Sequence, residues 1–279
     1  MRSSSSATWA AAVLLGAAVL TASRPAAGYH DDASKPQSTD RSAYTVPQGM
    51  HKIGLFSIEY GLADGLELIT WPVWWQLLSP NAGLEWRFVN TGKFAMSAAL
   101  SGQYLSTRPW TAFFPDWQPA DIGIIPLELL GSWRFHPSWT WSFGGLLTAV
   151  TLSGSFEEEA FQGAAAVTNL QAHTTFEWRL GRVVALQLHG RYLVFQTTKA
   201  SAQLDLHPDE YTTIRAAAGG KTNVLDFPKA FQLVPGAHFS WETFNLRLGL
   251  GFGNYVVPAI NFVLPNRSLV PELDLYWRF

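Results

Sequence analysis

One short phrase returns along this chain and limits what it can fold into. Glu85-Trp86-Arg87-Phe88, Ser132-Trp133-Arg134-Phe135, Glu177-Trp178-Arg179-Leu180 and Tyr276-Trp277-Arg278-Phe279 are variants of one pattern, and Ser240-Trp241-Glu242 and Ile58-Glu59-Tyr60 are looser copies. Ahead of each phrase apolar and polar residues alternate, the period of two that a strand with unlike faces requires. Over Thr168 to Leu180 the odd positions carry Asn169, Gln171, His173, Thr175, Glu177 and Arg179, and the even ones Leu170, Ala172, Phe176, Trp178 and Leu180. Lys93 to Tyr104 sets Ser97, Ser101 and Gln103 against Phe94, Met96, Leu100 and Tyr104. Phe244 to Phe252 sets Asn245, Arg247 and glycines against Phe244, Leu246, Leu248, Leu250 and Phe252.

A soluble sandwich also alternates, but its apolar faces meet another sheet and are seldom aromatic at their ends. Tryptophan at a fixed place near successive strand ends fits an interfacial girdle, here Trp86, Trp133, Trp178, Trp241 and Trp277. Composition agrees. Charged residues make up 14 % of the chain and aromatic residues another 14 %, whereas soluble proteins are about 25 % charged. The net charge of -2 gives no basic surplus for nucleic acid, and the absence of cysteine removes disulfides and thiolate chemistry. No stretch after residue 28 is apolar for the length a spanning helix needs, so a membrane crossing here requires strands in a closed barrel.

Tight links follow the phrases, at Ala63-Asp64-Gly65, Asn90-Thr91-Gly92, His136-Pro137-Ser138, Gly181-Arg182-Val183 and Thr243-Phe244. The other connections are long, at about 73–80, 106–120, 153–165, 197–229 and 254–268. Short turns at one end and long loops at the other form the asymmetry of an outer-membrane barrel, with the short end toward the periplasm. Counting across the turns sets Phe88 opposite Phe94 and Tyr60 opposite Leu68, both outward. It also sets Glu177 against Gln187, Thr175 against His189 and His173 against Arg191. The expected fold is an all-β, antiparallel up-and-down transmembrane barrel of about 12 strands, with 10 or 14 as alternatives.

The first segment reads as an export signal over 1–28. Arg2 precedes an apolar run from Ala7 to Leu20, and Ala26-Ala27-Gly28 offers small residues for cleavage. Residues 29–48 read as a flexible lead-in. Within it Arg41 to Gln48 forms either a short first strand, broken by Pro47, or a tail through the lumen. The barrel is expected over 49–279.

The end of the chain resembles the C-terminal signal of Gram-negative outer-membrane β-barrel proteins, an uncharacterised family of which is suggested by Tyr60 to Leu68 and Leu273 to Phe279. Phe279 is last, preceded at alternate positions by Trp277, Leu275 and Leu273, with a departure at Pro271. The resemblance implies an outer-membrane location, lipid as solvent, and recognition of Phe279 by the barrel-assembly machinery. It names no substrate.

Chemistry is harder to find. Gly219-Gly220-Lys221-Thr222 matches the tail of a phosphate-binding loop, but Arg215 stands where glycine is needed. Gly249, Gly251 and Gly253 are not a dinucleotide fingerprint. His207, Asp209 and Glu210 read as a solvated outer loop. No enzyme, cofactor or metal site is expected. The lumen-facing candidates are His173, Glu177, Arg179, Gln187, His189, Arg191, His238, Arg247, Glu272, Asp274 and Arg278. Buried acids and bases of this kind pair with one another. They are read as a pore for small polar or anionic solutes, or as the salt-bridged filling of a barrel that only displays its loops.

Overall fold

The computed structural model describes residues 41–110, 112, 120–156, 161–181, 183–203, 231–241, 243–253 and 268–279. The expected signal segment, residues 29–40, the outer loops at 204–230 and 254–267, and with them His207, Asp209, Glu210 and Gly219 to Thr222, lie outside the described residues.

Twelve antiparallel strands close into one barrel. In chain order they are β1 His51–Gly54, β2 Ile58–Ala63, β3 Leu66–Thr70, β4 Asn81–Asn90, β5 Phe94–Ser106, β6 Ala120–His136, β7 Trp139–Phe156, β8 Phe161–Arg179, β9 Val184–Gln203, β10 Phe231–Ser240, β11 Phe244–Gly253 and β12 Ser268–Arg278. Each pairs with its sequence neighbours, and β1 pairs with β12 through Lys52 opposite Arg278 and Ile53 opposite Trp277. Closure leaves no edge strand to template aggregation. One short helix, α1 (Pro72–Gln76), links β3 to β4, with Pro at its start, where a missing N–H costs nothing. Asn81 clamps this link: Oδ1 accepts from Trp71 N at 2.6 Å, and Nδ2 donates to the Trp71 and Ser79 carbonyls at 3.1 Å.

The short turns fall where expected. Gly65 and Gly92 close two of them at φ +79° and +80°, a conformation side chains resist. Tyr60 pairs with Leu68, and Glu177, Thr175 and His173 pair with Gln187, His189 and Arg191.

Three expectations need correction. Phe88 does not face Phe94: a bulge between Arg87 and Val89 shifts the register, so Val89 meets Met96 and Asn90 meets Ala95. Residues 153–156, 161–165 and 197–203 belong to strands, with β7 and β8 paired to Phe156 opposite Phe161. Ladder hydrogen bonds carry those strands on through small and polar residues whose sequence shows no alternation. Of the two readings of Arg41 to Gln48 the structure shows the tail inside the barrel and not the short strand, and the first outward strand is His51–Gly54. Residues 42–46 are buried inside the barrel and form no ladder.

The two faces are inverted relative to a soluble protein. Leu84, Leu100, Leu127 and Leu129 are exposed on the outer wall, while Lys52, Glu67, Gln171, Glu177 and His238 are buried. Large exposed apolar surface on this scale is unusual for a protein facing water. The rim carries a chain of ring contacts. Phe135 meets Trp139 edge-on at 5.6 Å, Trp139 meets Trp178 at 6.5 Å, and Trp241 stacks on Phe244, which touches Trp277 at 5.5 Å. Trp86, Trp133, Trp178, Trp241 and Trp277 are all exposed. Trp139 and Trp141 share that face, and Trp141 Nε1 donates to Thr174 Oγ1 at 2.7 Å. Among the described residues no helix is long and apolar enough to cross a membrane, which leaves strands untouched as spanning elements.

Candidate functional site: the barrel interior

Alternation decides which side chains enter the lumen, and register decides which of them meet. On β8 and β9, Glu177, His173, Arg179, Gln187 and His189 are buried. Glu177 Oε1 accepts from Arg179 Nε at 3.1 Å and Oε2 accepts from Gln187 Nε2 at 3.0 Å. Arg179 also donates to Thr140 Oγ1 and to the Pro137 carbonyl, each at 3.1 Å. Its charge is therefore tied to the barrel rim at three points. Thr175 Oγ1 and His189 Nδ1 share a hydrogen bond at 2.8 Å.

The remaining candidates join two further groups. His238 Nε2 bonds the Tyr276 hydroxyl at 2.8 Å, away from His173 and His189, whose rings lie 6.2 Å apart. Arg247 donates to Asp274 at 3.1 Å, as the opposition of those residues on β11 and β12 requires. Glu272 accepts from Gln232 at 3.2 Å. Arg278 packs its guanidinium 5.8 Å from the Tyr276 ring. Arg191 opposes His173 and Gln232.

Several interior residues escaped the sequence reading. Lys52 pairs with Glu59 at 2.8 Å, both buried. Glu67 and Glu85 oppose one another on β3 and β4. His173 Nε2 lies 2.9 Å from Glu128 Oε1. Ser132 and Ser142 hydroxyls meet at 2.7 Å. Strand period alone places Glu67, Glu85 and Glu128 inward, so the signal for them was present.

The tail read as one alternative in the sequence is the chain ahead of β1. Ser42, Ala43, Tyr44, Thr45 and Val46 are between 0 and 3 % exposed, deeper than most of the wall. Ala43 N donates to Ser132 Oγ at 2.8 Å and Val46 N donates to Glu67 Oε2 at 2.5 Å. The Tyr44 ring lies 5.8 Å from the Arg134 guanidinium and packs with Ala43, Ala95 and Leu130. Arg41 reaches Glu272 at 2.6 Å on the far wall. Burial, then repulsion from Arg247, pushes Arg41 down to about 10, still far above neutral pH, so it meets Glu272 as a cation. Gly49 N donates to the Gly61 carbonyl at 2.8 Å and Gly61 N to the Met50 carbonyl at 3.1 Å, where the segment turns into β1. An extended strip of the chain thus crosses the interior, held by two walls through a few polar contacts.

A closed antiparallel barrel with an apolar exterior, an aromatic rim and a hydrogen-bonded polar interior defines the architectural class. No protein-family model matches the chain, and no curated protein does. Among solved structures, the Pseudomonas putida toluene transporter TodX is similar at 10 % sequence identity, over 82 % of this chain and 77 % of that one, with a TM-score of 0.25. Superposition at that level assigns no substrate.

Proposed function

We propose that this chain is an outer-membrane β-barrel that passes small polar solutes through a lumen closed by its own residues 41–50. The observation that carries the reading is the buried segment Ser42 to Val46, which fills the polar interior without joining the sheet. A barrel that served only as a scaffold could fill its centre with wall side chains. Here backbone amides occupy Ser132 and Glu67, groups that a solute could occupy in their place. Where the sequence offers a passive pore, this reading adds a gate, supported by the near-complete burial of Ser42 to Val46.

The same proposal takes residues 1–28 as a removed export signal, Phe279 as the assembly signal, and the Trp86, Trp133, Trp178, Trp241 and Trp277 face as the lipid boundary. It gives the barrel no catalytic step. The cysteine-free sequence allows a clean test. Ala43→Cys with Ser132→Cys puts one thiol on each of two residues already joined by the 2.8 Å hydrogen bond from Ala43 N to Ser132 Oγ. In planar bilayers, current through the reduced protein that stops on oxidation and returns on reduction supports gating. Absence of current under both conditions, from a correctly folded barrel, refutes transport.

A further inference from the structure

Most interior cations have a carboxylate of their own: Arg179 has Glu177, Lys52 has Glu59, Arg247 has Asp274 and Arg41 has Glu272. Arg191 has none. Its Nε is buried without a hydrogen-bond partner among the described residues. The acids that act on it electrostatically are Glu128 and Glu272. Glu272 is held by Arg41 at 2.6 Å and by Gln232 at 3.2 Å, and Glu128 lies 2.9 Å from His173 Nε2 without a hydrogen bond between them. Around Arg191 the positive groups gather. Arg41 lies within electrostatic reach of Arg191 and Arg247, and His189 within reach of all three and of His173. His189 presents a second unused group, since Nδ1 is spent on Thr175 while Nε2 is buried and unpartnered.

Arg191 is half-buried on the inner wall, and the natural complement of a guanidinium that lacks a carboxylate is an oxyanion that accepts from its planar fork. Resting on the reading of the lumen as a solute path, we propose that Arg191 and His189, with Arg41 and Arg247 beside them, bind one small oxyanion, the carboxylate or phosphate group of a passing solute. Arg191 supplies the fork. Where the Thr175 hydroxyl donates to Nδ1, His189 carries its hydrogen on Nε2, two residues along β9 from Arg191 and on the same face of the sheet. Arg41 belongs to the segment that closes the lumen, so an anion at this site also competes for the arginine that anchors it to Glu272.

The test uses the full chain folded in detergent, titrated calorimetrically with acetate and with inorganic phosphate. Saturable binding of either anion supports the site, and the anion that binds identifies its chemistry. Binding falls by about tenfold or more in Arg191→Gln, and by less in Arg191→Lys, which keeps the charge and loses the fork. No saturable binding of either anion below about 10 mM overturns the proposal, as does undiminished binding in Arg191→Gln. If that variant fails the heat-shift assay for a folded barrel, Arg191→Lys decides, and unchanged affinity there overturns it. Conductance on the same preparation separates the two readings. Binding without current keeps the site and removes the path, and current without binding keeps the path and removes the site.

Discussion

Gly61 is where the interior segment leans on the wall, and a methyl group added there gives a quantitative test of the plug. A Cβ on Gly61 would lie 2.1 Å from the Pro47 carbonyl oxygen and 2.7 Å from that of Val46. Both are backbone atoms, so no side chain can swing aside, and the segment must retreat by roughly an ångström to reach ordinary contact. That retreat breaks Gly49 N to the Gly61 carbonyl and Gly61 N to the Met50 carbonyl, at about 1 kcal/mol net for each bond. Residual overpacking adds about 1–3 kcal/mol when the neighbours yield only in part. Gly61→Ala therefore weakens the plugged state by about 3–5 kcal/mol, which raises the withdrawn population by roughly 150- to 5,000-fold. Two assays read this: open probability in planar bilayers, and the rate of tryptic cleavage after Arg41 in the folded barrel. Both must rise. A folded Gly61→Ala protein with wild-type cleavage at Arg41 and wild-type open probability refutes the plug.

Two other perturbations separate wall from interior. Leu127 stands exposed, midway along β6 and opposite Leu100 and Leu147, so Leu127→Arg in vesicles costs about 2–4 kcal/mol of folding free energy if that face meets lipid; a cost near zero in reversible denaturant titration contradicts a lipid-facing wall. Arg179→Ala removes the 3.1 Å ion pair to buried Glu177 and destabilises by about 3–5 kcal/mol. Arg87 also pairs with Asp64, at 2.5 Å, and there the Asp64 side chain is 88 % exposed although that of Arg87 is 7 %, so Asp64→Ala costs about 0–1 kcal/mol. Equal losses for the two substitutions, measured by the same titration, remove the claim that the interior ion pairs are desolvated.

The wall was legible because its information is periodic. A residue on a two-faced strand declares its side by parity, so Glu177, Gln187, Thr175 and His189 could be set opposite one another from one turn, at Leu180 and Val184. Parity fails where the backbone slips, as at the Arg87–Val89 bulge, which displaced Phe88 from its expected partner. It also fails beyond the apolar band, where runs such as Ala164 to Ala166 extend β8 without alternation. The interior segment was less legible for a different reason. Arg41 to Gln48 forms no ladder, and its contacts with Ser132, Glu67 and Glu272 join residues 89, 21 and 231 positions apart. No local pattern encodes contacts of that range. Arg191 was legible as an inward residue. That it lacks a carboxylate among the described residues follows only from three-dimensional contacts, such as those of Arg41 and Gln232 with Glu272.

Everything proposed rests on which side of the sheet meets lipid. The most direct measurement is tryptophan fluorescence of the folded chain in vesicles whose acyl chains carry bromine, compared with quenching by aqueous acrylamide. Emission strongly quenched by brominated lipid and little affected by acrylamide, with the lipid-quenched share reduced in Trp133→Phe, is the predicted result. Emission untouched by brominated chains, with the tryptophans shielded inside a water-soluble particle, would contradict the account at its root.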